Sequence, residues 1–323
     1  MLFLLIIITS IILFAIELLY FKIADHYNII DKPNHRSSHT AITIRGGGVI
    51  FPIALLLYSV VTGFSYPYFL TGLLVISFIS FLDDIKELSS KIRIVFHLVA
   101  VALIFLQVGM FLFAFYWILL GLIFVIGTIN AINFMDGING ITGGYGLITL
   151  LTLYYINLRV VNFTDGSVLL ISIVSVLVFD FFNFRKKAKC FAGDVGSVSL
   201  AFIIVFFLLQ LIIKTGNPAY LLLLLLYGLD TATTIVFRLI RRENIFKAHR
   251  SHFYQYLVNE KKQPHLLVAT LYLFFQGIIN ILLILFFKVS ILKALLFSII
   301  LLFVFVTMRV LVEGNKKLFK QSI

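Results

Sequence analysis

The acidic and amide residues of this chain stand in short polar clusters between long apolar runs, and the clusters carry the chemistry. Asp83 and Asp84 end one apolar run and are followed by Lys91 and Arg93. Two adjacent carboxylates are costly at such a place without a partner. Hard divalent cations prefer oxygen ligands, and magnesium typically takes one or two carboxylates together with substrate phosphates. Lys91 and Arg93 suit phosphate oxygens. A plain helix cap would also explain the pair. Asp194 lies in Gly193-Asp194-Val195-Gly196-Ser197, behind the basic stretch Arg185 to Lys189. A carboxylate, a helix start and several cations together offer a place for a metal and a phosphate. An ordinary cap behind a basic loop is the other reading.

Three further clusters belong with these. Asn130 to Gly140 holds Asn133, Asp136, Gly137 and Asn139 and no Lys or Arg. Its side chains suit hydrogen bonding to a neutral base or sugar, and its glycines equally suit a turn-rich linker. Arg45-Gly46-Gly47-Gly48, preceded by Asp31 to His39, would let backbone N–H groups approach an anion. Arg238 to His265 contains His249 and His252, three apart and so on one face of a helix. No third zinc ligand stands nearby, and phosphate binding suits the pair better. Asp180, Asp230 and Glu17 fall inside apolar runs, where an acid is a functional candidate or part of a buried pair that orients helices.

The elements that must position these residues are membrane helices. The 323 residues are 61% hydrophobic and 12% charged, against about 25% charged in a soluble domain. An all-α, polytopic transmembrane bundle follows, read as one domain over 1–323. A span needs about 17–25 apolar residues. That length predicts eleven spans, at 2–22, 46–63, 66–82, 92–108, 110–129, 141–158, 167–183, 196–214, 218–238, 266–287 and 290–311. The polar loops then lie near 23–45, 83–93, 130–140, 183–197 and 238–265. Twenty-two of the 26 Lys and Arg, Arg238 and Arg309 among them, fall on the side of these loops. The positive-inside rule makes that side cytoplasmic, with the N-terminus outside and the C-terminus inside. The net charge of +12 is therefore topological and does not point to nucleic acid. Cys190 is the only cysteine, which rules out an intrachain disulfide. A secondary transporter or lipid flippase is the competing class, but it would carry its polar groups near the bilayer midplane.

Four motifs in order, Asp83-Asp84 with Leu88 and Arg93, Asn133-Phe134-Met135-Asp136-Gly137, Gly193-Asp194-Val195-Gly196-Ser197 and His249-Arg250-Ser251-His252-Phe253-Tyr254-Gln255, resemble the polyprenyl-phosphate N-acetylhexosamine-1-phosphate transferases, glycosyltransferase family 4. The stretch Asp31 to Gly48 and the single His249-x-x-His252 resemble the branch that initiates O-antigen and capsule synthesis. The resemblance implies a bacterial inner-membrane enzyme with its active site facing the cytoplasm, dependent on Mg2+ with Mn2+ as a substitute. It implies transfer from a UDP-N-acetylhexosamine to undecaprenyl phosphate with release of UMP, and it allows a homodimer. By the same resemblance Asp194 matches the metal ligand, Phe191 the ring that stacks on uracil, and Asn133, Asp136, Gly137 and Asn139 the uridine pocket. Asp83, Asp84 and Asp136 match catalytic positions. Asn183, Arg45, Lys91, Arg93, Lys189, His249 and His252 match phosphate and substrate contacts. Ala192 replaces a commoner bulky residue before Gly-Asp.

Overall fold

The computed structural model describes residues 2–32, 42–245, 249–287 and 290–319. The Pro33 to His39 part of the first polar loop lies outside them. Helix formation follows the apolar runs closely, and 80% of the described residues are helical. The helices are α1 (Leu2–His26), α2 (Ile50–Thr62), α3 (Pro67–Ile85), α4 (Ser90–Val108), α5 (Phe115–Met135), α6 (Ile141–Arg159) and α7 (Gly166–Asn183). They continue with α8 (Gly193–Thr215), α9 (Leu225–Ile240), α10 (Phe253–Asn259), α11 (His265–Leu282), α12 (Ile291–Glu313) and α13 (Asn315–Phe319). One two-residue hairpin, β1 (Ile30–Asp31) with β2 (Thr43–Ile44), pairs antiparallel beside the end of α1.

Among the described residues ten helical segments are long and apolar enough to cross a membrane, and Gly47–Thr62 is shorter. The predicted span 46–63 is thus the one that departs from expectation. It opens with a 3-10 turn, Gly47–Val49, before α2. At about 2.0 Å per 3-10 residue and 1.5 Å per α residue it reaches about 25 Å, somewhat less than a hydrocarbon core of about 30 Å. The other ten predicted spans each coincide with one of the ten segments.

The bundle is built around α8. Its apolar window is 83% buried, against 17% for α1 and 11% for α12, which places α8 at the centre and the other two at the lipid-facing edge. Apolar burial does not hold helices together in lipid, where close packing and interhelical hydrogen bonds do so. Phe69 of α3 stacks on Phe206 of α8 at 3.8 Å, and Tyr145 of α6 stacks on Tyr227 of α9 at 3.6 Å.

Backbone groups freed inside the membrane need partners, because no water is there to supply them. The seven-residue 3-10 stretch Pro218–Leu224 that precedes α9 is such a place. The Gln276 side chain of α11 repairs it, accepting from the Leu226 N–H at 3.0 Å and donating to the Leu222 carbonyl at 2.9 Å. It also accepts from the Tyr145 hydroxyl and donates to Asn280.

At one end of the bundle the connections are plain. Asn157 accepts from Phe163 N and Thr164 N, and Gln107 caps the start of α3. The opposite end gathers the C-termini of α3, α5, α7 and α9 and the N-termini of α4, α6, α8 and α11, with the polar clusters that join them.

Candidate active site

The start of α8 is the floor of the site. Its first N–H groups need acceptors, and the Asp84 carboxylate supplies them. Oδ1 accepts from Asp194 N at 2.8 Å and Oδ2 from Val195 N at 2.9 Å. Oδ1 also pairs with Arg45 Nε at 2.6 Å, and the Asp84 side chain is fully buried. Gly193 has φ of +71°, and a Cβ there would stand 2.5 Å from Asp84 Oδ2, so only glycine fits. Asp84 thus caps α8 from another helix and fixes Asp194.

Asp83 and Asp194 are brought together. Arg93 Nη1 lies 2.9 Å from Asp83 Oδ2 and 4.0 Å from Asp194 Oδ2. Arg45 Nη2 lies 3.7 Å from Asp194 Oδ1. Asp83 Oδ1 accepts from Leu88 N at 2.6 Å, which shapes the turn into α4. Burial alone would favour a neutral Arg45, but Asp84, Asp194 and Asp31 outweigh it and hold its pKa above the ordinary value. The arginine is a fixed cation. Among the described residues no three His, Cys, Asp or Glu side chains form a closed metal cage. Magnesium does not need one, since one or two carboxylates plus substrate phosphate suffice. The Asp83–Asp194 pair, two hard oxygen donors beside two guanidinium groups, fits that requirement.

The glycine run after Arg45 has a different use from the one the sequence suggested. Gly47 N donates to Phe191 O at 2.9 Å and Gly48 N to Ala192 O at 3.1 Å. A Cβ on Gly48 would lie 2.1 Å from Gly196 Cα. These glycines let the first polar loop lie directly on the α8 start, and two of their N–H groups are already engaged by carbonyls. The anion-cradle expectation is corrected for Gly47 and Gly48. Phe191 N donates to Ile44 O at 2.8 Å, so the backbone of Phe191 is clamped from both sides.

Asn183 also works as a strut. Its Oδ1 accepts from Gly140 N and its Nδ2 donates to Cys190 O, both at 2.8 Å. Asn139 donates to the Arg185 carbonyl at 2.8 Å. Asn133 accepts from the Ser197 hydroxyl at 2.6 Å and ties α5 to α8. Asp136, just beyond α5, lies within electrostatic reach of Asp84 and Arg45. Burial lifts its pKa to about 6, with Thr142 and Arg45 acting in the opposite direction. Lys91 and Lys189 are exposed on the rim. Cys190 is buried, with its thiol 3.7 Å from Glu17, and burial holds its pKa far above normal. It is no nucleophile.

His249 and His252 meet the site through Phe134. Their rings lie 5.0 Å apart and 6.2 and 6.4 Å from the Phe134 ring. Burial, with His252 and Arg238 nearby, drives the His249 pKa down to about 4, so its ring is neutral near pH 7. The Tyr254 hydroxyl donates to Phe134 O at 3.0 Å.

The structure therefore gathers Asp83, Asp84, Asp194, Arg45 and Arg93 into one contact network. It joins Asn133, Asn139 and Asn183 to that network by struts and sets the histidine pair beside it. Sequence reasoning missed Arg309, Tyr272 and Gln276. Arg309 was legible only as one more inner-side cation, yet it is 1% exposed. An arginine inside the last apolar run was the signal that could have found it.

Residues 66–212 match the model of glycosyl transferase family 4. The match runs from the start of α3 through most of α8 and includes Asp83, Asp84, Asp136 and Asp194. It supports membership of that family, whose members transfer phospho-sugars onto polyprenyl phosphate, and it indicates a sugar-phosphate transferase. No curated protein matches the chain.

Proposed function

We propose that this protein transfers N-acetylhexosamine-1-phosphate from a UDP-sugar to undecaprenyl phosphate. UMP is released, and the lipid-linked diphosphate sugar that forms initiates a cell-surface polysaccharide such as O-antigen. The observation that carries the reading is the Asp83–Asp194 pair. Two carboxylates, one from the end of α3 and one from the start of α8, meet between Arg45 and Arg93 at the end of a membrane bundle. Phosphoryl transfer needs neutralised charge and in-line positioning more than covalent help. The same side carries most of the basic residues, so we place the site at the cytoplasmic face of a bacterial inner membrane, where UDP-sugars are available.

In this reading Asp83 and Asp194 would hold magnesium beside the substrate diphosphate. The metal, when bound, supplies charge neutralisation for the departing UMP. Arg45 and Arg93 hold phosphate oxygens, and Phe191, Asp136, Gly137 and Asn139 form the nucleoside pocket. A phosphate monoester has its second pKa near about 6, so the lipid phosphate is largely dianionic at neutral pH and attacks directly. Of the two adjacent aspartates, Asp83 is the one left to orient it, because Asp84 is committed to α8 and Arg45. The test is purified protein in detergent with undecaprenyl phosphate and a panel of UDP-N-acetylhexosamines. Magnesium-dependent UMP release and a lipid product of the mass of sugar plus diphosphate are expected. No turnover with any UDP-sugar would remove the reading.

A further inference from the structure

Asp230 sits inside α9, fully buried in the zone where an unpartnered carboxylate is expensive. Its partners come from elsewhere in the chain. Oδ1 accepts from Phe253 N at 2.9 Å, and Oδ2 accepts from Tyr254 N at 3.2 Å. Oδ2 also accepts from the Tyr272 hydroxyl of α11 at 2.6 Å. The carboxylate thus anchors the first turn of the short helix α10 and, with it, the residue just before that helix, His252. Nδ1 of His252 lies 3.4 Å from Asp230 Oδ1, and the histidine is 2% exposed. Both ring nitrogens are buried without a hydrogen-bond partner among the described residues; Nδ1 faces the carboxylate and Nε2 lies on the other side of the ring.

A second buried charge completes the mount. Arg309 reaches in from α12, whose window is only 11% buried. Its Nη1 donates to the Thr233 and Thr234 hydroxyls at 2.9 and 2.8 Å, and its Nη2 donates to Ser251 O at 2.9 Å. It stands 4.0 Å from Asp230 Oδ1 and is balanced on its outer side by Glu313 at 2.6 Å. A stable junction of four segments does not require an acid and an arginine, since well-packed apolar residues often serve as well or better. What the polar assembly adds is direction. It holds Ser251, His252, Phe253 and Tyr254 in one arrangement and turns one chosen nitrogen of His252 toward a carboxylate. Any proton the ring then exchanges with a ligand is exchanged at Nε2.

We propose that Asp230, with Tyr272 and Arg309, is a positioning residue. It fixes the histidine segment against Phe134 and leaves His252 Nε2 to meet a phosphate oxygen of the substrate. Asp230, Tyr272 and Arg309 themselves do not touch the substrate; they act through His252. All three lie beyond residue 212, outside the part of the chain that matches the family model. The proposal rests on the transferase reading.

The test is a double-mutant cycle on the full chain in detergent, with UMP release as the rate and the melting temperature measured alongside. The wild-type reaction comes first, because its absence would defeat the transferase reading and not this one. Asp230→Asn and His252→Asn are each expected to lower kcat by about 100-fold, with KM for the UDP-sugar within about threefold. The double variant is expected to be no slower than His252→Asn alone, because both changes remove the same interaction. A double variant slowed by the product of the single effects would overturn the proposal, as would wild-type kcat in either single variant. Should Asp230→Asn fail to fold, Tyr272→Phe takes its place, since it removes one hydrogen bond only. It is expected to lower kcat by about 3–10-fold at an unchanged melting temperature, and wild-type kcat there would overturn the proposal equally.

Discussion

Asp83 and Asp84 are neighbours in sequence with different work. The Asp84 side chain is fully buried and accepts from two backbone N–H groups and one guanidinium, whereas Asp83 faces Asp194 across Arg93. Asp84→Asn keeps the shape but loses the charge that three donors require, so the folded state is expected to lose about 2–4 kcal/mol. Asp83→Asn is expected to abolish turnover with little loss of stability, because its Arg93 partner is partly in solvent. Unfolding in detergent separates the two variants, and equal melting temperatures would contradict the capping role. Asp136 gives a pH signature. Its folded pKa of about 6 stands above the ordinary value of 3.8. The fold therefore favours the protonated acid, and the stability cost of ionising it appears as pH rises from about 4 and is complete above about 6. An ionised Asp136 that accepts from a uracil N–H would bind uridine more tightly as pH rises through 6. Asp136→Asn is expected to flatten that dependence. Uridine, which has no phosphate, keeps His249 out of the titration, and a flat wild-type curve from pH 5 to 7.5 would remove Asp136 from the pocket.

At the scale of elements, the apolar runs made ten spans legible because bilayer thickness sets helix length directly. The short segment Gly47–Thr62 was less legible, since its first residues serve the α8 contact before they serve the membrane. The motif residues could be found from the sequence, but several of their jobs could not. The Gly47-Gly48 pair reads as an anion contact when only residue types are visible; its hydrogen bonds to carbonyls far away in sequence make it a joint, and the ties from Asn183 to Gly140 and Cys190 are equally invisible in the sequence. Gln276 shows the same limit. Nothing local distinguishes it, yet it satisfies the backbone where a 3-10 stretch passes into α9, one and a half turns before Asp230. Gln276→Leu would remove its hydrogen bonds to Leu226 N, Leu222 O, the Tyr145 hydroxyl and Asn280 in the membrane. At about 0.6 kcal/mol per interhelical bond, and up to about 1.7, a loss of about 2–4 kcal/mol is expected. KM for the nucleotide should stay within about twofold, because Gln276 lies away from the nucleoside loops. A melting temperature equal to that of the wild type would show that this part of α9 does not depend on Gln276.

For the molecule as a whole, the separation of chemistry from plain connections becomes a statement about sides. Every contact among Asp83, Asp194, Arg45, Arg93 and the Asn struts lies at one end of the bundle. The loop joining α6 to α7, with Asn162 exposed, lies at the other. On the proposed reading the first end faces the cytoplasm, as the positive-inside rule predicts, and a donor made in the cytoplasm would require that placement. The chain offers a favourable background for a direct measurement. Its single cysteine is buried beside Glu17 with a thiol pKa far above normal, so the native protein should react slowly with a maleimide. Asn162→Cys and Lys187→Cys put a reactive thiol at each end, both at exposed positions. A membrane-impermeant maleimide applied to intact cells is expected to label the residue-162 variant, and the residue-187 variant only after lysis. The opposite pattern would turn the protein over in the membrane. The acid pair and its arginines would then open to the outside, away from any nucleotide-activated donor, and the transferase reading would lose its substrate.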